Sequence, residues 1–360
     1  MQHQDGSFHS ALTERKGVDG VQSINPALRD FVATGSSEMT ADDYVQGILS
    51  GNRNVLAKAI TLVESTKEND KILSQEILKK LSPLAGKSVR VGITGVPGAG
   101  KSTLIEILGV DLLEKGHKVA VLAVDPSSER SKGSILGDKT RMEKLAAADN
   151  AFVRPSPSSG SLGGVARNTS ETILLCETAG FDVILVETVG VGQSETLVRN
   201  MVDFFLLVQI ANAGDELQGI KRGVMEMADM ILVNKADGNN VTASELAAAQ
   251  IRNAIHLFMP PQSGFAVEVM TCSAVSGFNI TKIWENIHHF IDFTKKTGFF
   301  EKQRKEQIEK LFYQTLNNRI LENYHQKIDN QKMINQTLKT IWSGKNSLFA
   351  AVSGLFSDKL

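Results

Sequence analysis

Cysteine is nearly absent from this chain: Cys176 and Cys272 are the only two, far apart in sequence and each in apolar surroundings. That argues against a disulfide framework or a thiolate metal centre and predicts two reduced thiols in the core of a cytoplasmic protein. Excess charge is missing too, since 39 basic residues face 40 acidic ones for a formal net charge of -1. No electrostatic case exists for nucleic acid or for an anionic membrane surface, and any partner is recognised by shape. No apolar run is long enough to span a bilayer, and no signal-peptide core opens the chain. The seven histidines show no metal-ligand spacing. His288-His289 falls in a helical pattern, where a solvated or packed pair is the expectation.

What is present is organised in blocks. Residues 1–39 are polar and rich in Gly and Ser, a weakly ordered leader. Thr40-Ala41-Asp42-Asp43 resembles a capping box ahead of Tyr44, Val45, Ile48 and Leu49. Two further helical patterns follow, Val55, Leu56, Ala59, Ile60, Val63 and then Ile72, Leu73, Ile77, Leu78, Leu81, so residues 40–86 form an N-terminal helical cap. From Ser88 the pattern becomes short apolar runs alternating with helices: Val89–Thr94, Val119–Val124, Val183–Glu187, Phe204–Gln209, Met230–Asn234 and Val267–Thr271. That alternation predicts an α/β fold with a mostly parallel, doubly wound sheet over residues 87–298. Ligands of such sheets bind at the carboxyl ends of the strands.

The first of those runs leads straight into Gly95-Val96-Pro97-Gly98-Ala99-Gly100-Lys101-Ser102-Thr103, which matches G-x-x-x-x-G-K-[ST] in a strand-loop-helix setting. Glycines let backbone N–H groups turn inward around phosphate oxygens, Lys101 brings a point charge to the β/γ-phosphates, and the Ser102 hydroxyl is a ligand for Mg²⁺. The chain is thereby read as a P-loop NTPase. After another strand comes Asn234-Lys235-Ala236-Asp237. The Asp237 carboxylate can accept both N1–H and N2–H₂ of guanine, a donor pair that adenine does not offer, so GTP is favoured over ATP. Asn234 would brace the loop, and the stem of Lys235 would cover the base. Cys272-Ser273-Ala274, after the next strand, fits the place where a backbone N–H reads guanine O6.

Glu187-Thr188-Val189-Gly190 closes a third strand. An acidic residue there binds Mg²⁺ in P-loop enzymes and the glycine N–H meets the γ-phosphate. Asp125, in Asp125-Pro126-Ser127-Ser128, offers a second carboxylate at the same sheet edge, as a metal-side or water-orienting residue, and Asp138 a weaker one. Gln193 and Glu195 lie near enough in sequence to orient a water. Hydrolysis asks the protein for positioning and charge neutralisation more than covalent chemistry, so a slow intrinsic rate is expected.

These residues carry a family resemblance. The chain resembles the MeaB/ArgK family of P-loop GTPases, bacterial relatives of the human MMAA protein, which attend adenosylcobalamin-dependent methylmalonyl-CoA mutase. The similarity runs from about Tyr44 to about residue 298, through the P-loop, Asp125–Ser128, Gly137-Asp138-Lys139-Thr140-Arg141-Met142, Glu187 to Glu195, Gly214-Asp215-Glu216-Leu217-Gln218-Gly219-Ile220-Lys221 and Asn234–Asp237. Glu187, unusual for a generic GTPase, is the family's own residue at that place. The resemblance implies a homodimeric GTPase chaperone that binds the mutase, gates cofactor loading with GTP/GDP and Mg²⁺, and protects the mutase from inactivation. It also makes Gly214–Lys221 a mobile switch, in which Asp215, Glu216, Gln218 and Lys221 exchange contacts between nucleotide states.

From Phe299 the chain is least family-like, whereas relatives use this region as a dimerisation arm. It reads as a charged helix from Glu301 to about Gln326 with Ile308, Leu311, Phe312, Leu316, Ile320 and Tyr324 on one side, closed by a short apolar tail, Leu348–Phe356. Residues 299–360 are thus a C-terminal helical extension that packs on its own or a partner subunit. Two other readings compete. A metallochaperone GTPase shares the architecture, although its Cys-rich or His-rich loops are missing from this sequence. A nucleotide-sensing scaffold would bind its client without having its hydrolysis stimulated.

Overall fold

The computed structural model describes residues 39–124, 142–155, 162–188, 194–211 and 222–355. Two compact units divide after Thr40, and the second, Ala41–Leu360, carries all of the described helices and strands. It opens with α1 (Ala41–Leu49), α2 (Arg53–Glu64) and α3 (Glu68–Leu81). Asn52 starts α2 by accepting the Asn54 and Val55 N–H groups on its side chain, which satisfies donors that a first turn leaves unpaired. Tyr44, Ile48, Leu56, Ile60, Val63, Ile77 and Leu81 are buried as their helical spacing requires. Ile72 departs from expectation and is exposed, because it stands two residues from Ser74, about 200° around α3 from the buried face of Ser74, Ile77, Leu78 and Leu81.

Seven strands form a single sheet: β1 (Val89–Gly95), β2 (Val119–Val124), β3 (Ala151–Pro155), β4 (Val183–Thr188), β5 (Phe204–Ile210), β6 (Met230–Asn234) and β7 (Glu268–Thr271). Their order is β3-β2-β4-β1-β5-β6-β7 and every pairing is parallel. β2 and β4 are buried along their whole length, which is why their sequences are unbroken apolar runs and not alternating ones. β3 is absent from the sequence expectation. It is a five-residue edge strand containing Arg154 and Pro155, and its apolar run is too short to stand out.

The connecting helices are α4 (Lys101–Glu114), α5 (Glu143–Ala147), α6 (Leu162–Thr178), α7 (Ser194–Arg199), α8 (Arg222–Met227), α9 (Val241–Ile255) and α10 (Ile280–Thr297). They cover both faces. On one, Leu104, Ile105 and Leu108 of α4 and Ile283 and Ile287 of α10 meet Val91, Ile93, Leu206 and Val208. On the other, Ala248 and Ile251 of α9 meet Leu207, Ile231 and Val233. β1 lies between β4 and β5, where the chain changes its direction of travel across the sheet, so the loop after β1 opens into the crevice that such a reversal creates.

Gly298 alone separates α10 from α11 (Phe299–Gln326), which is followed by α12 (Ile328–Trp342) and α13 (Leu348–Gly354). The root of α11 is held by polar contacts. Arg304 donates to both carboxylate oxygens of Asp203 at 2.7 Å each, and also to the carbonyls of Gly86 and Ser88. Gln303 and Gln307 donate to the Val202 carbonyl at 3.0 and 2.7 Å. Beyond this root Ile308, Phe312, Leu316 and Ile320 stand in solvent while Leu311 and Tyr324 are half-buried, so most of the apolar stripe expected on α11 does not pack on its own subunit. Phe349, in the apolar tail, is 83% exposed. No described helix is long and apolar enough to cross a membrane.

Candidate functional site

The carboxyl ends of β1, β4, β6 and β7 bring most of the described candidate residues to one edge of the sheet. The loop between β1 and α4 is shaped by its glycines. Gly95 has φ +150°, and a Cβ there would lie 2.0 Å from the Val208 carbonyl oxygen of the adjacent β5. Gly100 has φ +85°, and its Cβ would lie 2.7 Å from the Asn234 amide nitrogen. Glycine is therefore required at both points by conformation and by close approach. The loop ends at the first turn of α4, whose unpaired N–H groups face into the crevice and make an anion site.

Lys101 is the first residue of α4 and is buried. Its ammonium donates to the Gly95 carbonyl at 2.9 Å and the Val96 carbonyl at 3.3 Å, folded back over the loop. Burial lowers the pKa of this amine, while the charges of Glu187 and then Glu195 push the other way. Glu187 and Glu195 are themselves buried, so the site holds two desolvated carboxylates around one desolvated cation. Ser102 donates its hydroxyl to Glu187 Oε1 at 3.0 Å. A hydroxyl and a carboxylate in contact are hard oxygen donors of the kind Mg²⁺ takes, and these two residues fit that ion. Beside them Thr188 and Thr94, on neighbouring strands, share a buried hydroxyl contact at 2.8 Å.

The second half of the site is built where β6 and β7 end. Asn234, the last residue of β6, is buried and donates its amide N–H to the Ala99 carbonyl in the phosphate loop at 2.7 Å. Its Oδ1 accepts the Ala274 N–H at 3.1 Å. One side chain thus joins the loop after β1 to the loop after β7. Lys235 follows at φ +62°, a left-handed conformation that costs a non-glycine residue energy and leaves its side chain exposed. The turn is closed by the Ala236 N–H to the Cys272 carbonyl at 3.0 Å and by the Asn240 amide to the Lys235 carbonyl at 2.9 Å. Asp237 is half-buried and takes a short hydrogen bond from the Ser273 hydroxyl, which in turn accepts the Ser276 N–H at 3.1 Å. Asp237 is thereby held by the residue beside Ala274.

The structure brings Gly95 to Thr103, Glu187, Asn234, Lys235, Asp237, Cys272, Ser273 and Ala274 together in two contiguous half-sites joined by Asn234. Asp125, Asp138, Gly190, Gln193, Asp215, Glu216, Gln218 and Lys221 lie outside the described residues. Sequence reasoning missed the Thr94–Thr188 pair, whose members belong to unremarkable strand ends. It also missed Gln209, which is buried near the end of β5 with no hydrogen-bond partner among the described residues for either amide atom. A glutamine closing an otherwise apolar strand run was the available signal. His288, expected to be solvated or packed, is exposed and faces Asp292 one turn on at 3.3 Å. Cys176 and Cys272 are free and buried, as expected.

The profile of the family described as methylmalonyl Co-A mutase-associated GTPase MeaB matches residues 56–329. GTPase ArgK of Escherichia coli is 43% identical over 319 residues, covering 89% of this chain and 96% of the relative. A probable GTPase of Mycobacterium tuberculosis is 46% identical over 277 residues, 77% of this chain and 82% of its own. The mouse mitochondrial methylmalonic aciduria type A homolog is 44% identical over 293 residues, covering 79% and 71%. Among solved structures, a LAO/AO transport system kinase superposes with a TM-score of 0.72 at 37% identity, covering 89% of this chain and 97% of that one.

Proposed function

The chain belongs to the MeaB family of methylmalonyl-CoA mutase-associated GTPases, and from that premise we propose that it is a GTP-driven chaperone of an adenosylcobalamin-dependent acyl-CoA mutase of the methylmalonyl-CoA mutase type. That it is a GTPase follows from its relatives. The observation that carries the finer reading is the Asn234 bridge, because it ties a guanine-selecting loop to the phosphate cradle and makes the grip on the base sensitive to the state of the phosphates.

In this reading the backbone of Gly95–Thr103 and the ammonium of Lys101 hold the β- and γ-phosphates, Asp237 selects guanine, and Ala274 offers its N–H to guanine O6. Ser102 and Glu187 would hold Mg²⁺, with the Asp125 carboxylate as a further metal-side or water-orienting group. Bound there, the ion neutralises charge developing on the phosphate oxygens. For phosphate binding Lys101 leaves the Gly95 and Val96 carbonyls, while burial lowers its pKa and the charges of Glu187 and Glu195 oppose that shift. Hydrolysis alone is slow; Gln193 orients the attacking water, and Asp138 with the Gly214–Lys221 segment passes the outcome to the client.

The client is the mutase, whose cofactor loading the GTPase gates and which it protects. Two copies of the chain associate through the exposed stripe of α11 and the α13 tail. The test is co-elution with the cognate mutase together with mutase-stimulated GTP hydrolysis. Absence of both would overturn the chaperone reading and leave a GTPase with another client. The Phe312→Asp and Ile320→Asp double variant is expected to sediment as a monomer; a dimer unaffected by it would move the interface elsewhere.

A further inference from the structure

Cys272 is the first residue after β7 and is fully buried. Both of its backbone groups are used to knit the strand ends: its N–H donates to the Val233 carbonyl at 2.9 Å, and its carbonyl accepts from Ala236 at 3.0 Å. The thiol does something separate. It lies 3.6 Å from Asn234 Oδ1 with the S–H as donor. The Asn234 amide is thereby defined on every side, its NH₂ on the acceptor-only Ala99 carbonyl and its oxygen between the Ala274 N–H and the Cys272 S–H. A flipped amide would set its NH₂ against the Ala274 N–H and its oxygen against the Ala99 carbonyl; those two backbone groups choose the orientation, and the thiol adds a third contact that holds the oxygen in place.

We propose that Cys272 is a positioning residue for nucleotide retention, its thiol locking the Asn234 amide in the orientation that couples the phosphate loop to the guanine loop. Burial pushes the thiol up to about 12, so it stays a protonated donor at any physiological pH. The competing account is that Cys272 simply fills space. It sits in the main core cluster next to Ala274, Ile280 and Ile283, where a small apolar side chain would serve.

The two accounts make opposite predictions for conservative variants. Serine keeps a donor and loses apolar character; valine keeps apolar bulk and loses the donor. If the thiol orients Asn234, Cys272→Ser holds the dissociation rate of a fluorescent guanine nucleotide within about twofold of wild type, whereas Cys272→Val and Cys272→Ala each raise it roughly three- to tenfold. If Cys272 only fills space, valine matches wild type and serine releases nucleotide faster. That result overturns the proposal, as does a fall in kcat without faster release. Should the valine protein not fold, the serine variant decides alone.

The proposal rests on the assignment of Asn234–Asp237 and Cys272–Ala274 as the guanine site, and an Asp237→Asn arm separates the two. A switch of preference to xanthine nucleotides by that variant keeps the guanine site while Cys272 is judged on its own pattern. Failure to switch removes the guanine site and the role of Cys272 with it.

Discussion

Replacing Gly95 by alanine perturbs the site at its hinge. The added Cβ would meet the Val208 carbonyl oxygen at 2.0 Å, whereas ordinary contact begins near 3.4 Å, so β1 and β5 must part by about 1.4 Å at the point where the phosphate loop leaves the sheet. That carbonyl belongs to the backbone of a buried central strand and has nowhere to yield. The φ of +150° adds strain for any residue with a side chain. Backbone strain of about 1–3 kcal/mol and overpacking of a similar size together cost about 2–6 kcal/mol. For a domain of this size that lowers the thermal midpoint by roughly 4–10 °C. The functional loss is larger in proportion, since a displacement of order 1 Å in a positioned phosphate cradle costs on the order of a hundredfold in rate. Titration with a fluorescent GTP analogue, single-turnover hydrolysis and a thermal melt of the same preparation measure all three. A folded Gly95→Ala protein with wild-type affinity and rate would refute the reasoning, because it would mean that the loop does not depend on its contact with β5.

Three further outcomes are expected. Lys101→Ala removes the charge-assisted contacts to the phosphates, worth about 1.5–3 kcal/mol each, and so weakens GTP binding by roughly two to four orders of magnitude in calorimetric titration; near-normal affinity would withdraw the cradle assignment. Arg304→Met strands the buried Asp203 carboxylate, which then keeps only the Arg90 N–H at 2.9 Å, and should cost about 3–5 kcal/mol in denaturant unfolding; a change under 1 kcal/mol would show that α11 is not anchored there. The third concerns pH. Burial raises the Glu177 carboxyl, but Arg90, Ser88 and Gly86 outweigh it and hold its pKa below the usual range, so its stabilisation is present above about pH 4.5 and is lost as pH falls through the folded value. Glu177→Gln should therefore melt lower than wild type at pH 7, with the gap closing in acid. Burial raises Glu171 in spite of Arg167 and Gln75, so its stabilisation is lost as pH rises, and Glu171→Gln should melt higher at pH 7; shifts of the same sign for both variants would contradict the argument.

The parts of this protein legible in the sequence are those whose chemistry is contiguous. Gly95–Ser102 and Asn234–Asp237 each carry their function within a few residues, and strand-then-loop context places both at the carboxyl edge of the sheet. Buried parallel strands were readable for the same reason: six-residue apolar runs such as Val119–Val124 leave no other reading between helices. What was illegible depends on distance in sequence. Arg304 and Asp203 are 101 residues apart, and nothing in Gln303-Arg304-Lys305 marks one charge among many as the buried one. Ile72 illustrates a different limit, since an apolar residue within a helical stretch need not lie on its buried face, and Ile72 lies about 200° around α3 from Ser74. The thiol of Cys272 was invisible because its backbone already accounted for its place in the guanine loop.

α11 inverts the usual relation between polarity and burial. Its inner face presents Gln303, Arg304 and Gln307 to the subunit, with Gln307 buried, while Ile308, Phe312, Leu316 and Ile320 face outward. A helix held only by apolar packing would show the opposite arrangement. The inner contacts also have a particular target, because Gln303 and Gln307 both donate to the Val202 carbonyl and Arg304 grips Asp203, the residues that join the end of α7 to the start of β5. The charge of Glu195, in the first turn of α7, acts on Lys101, and β5 runs past Gly95. Any displacement of the first turn of α7 must therefore be absorbed within six residues or delivered to the root of α11. Hydrogen bonds to backbone carbonyls resist such absorption better than apolar contacts do, because they fix direction as well as distance. A partner seated on the outward stripe would sit at the end of a short, directionally fixed path from the nucleotide.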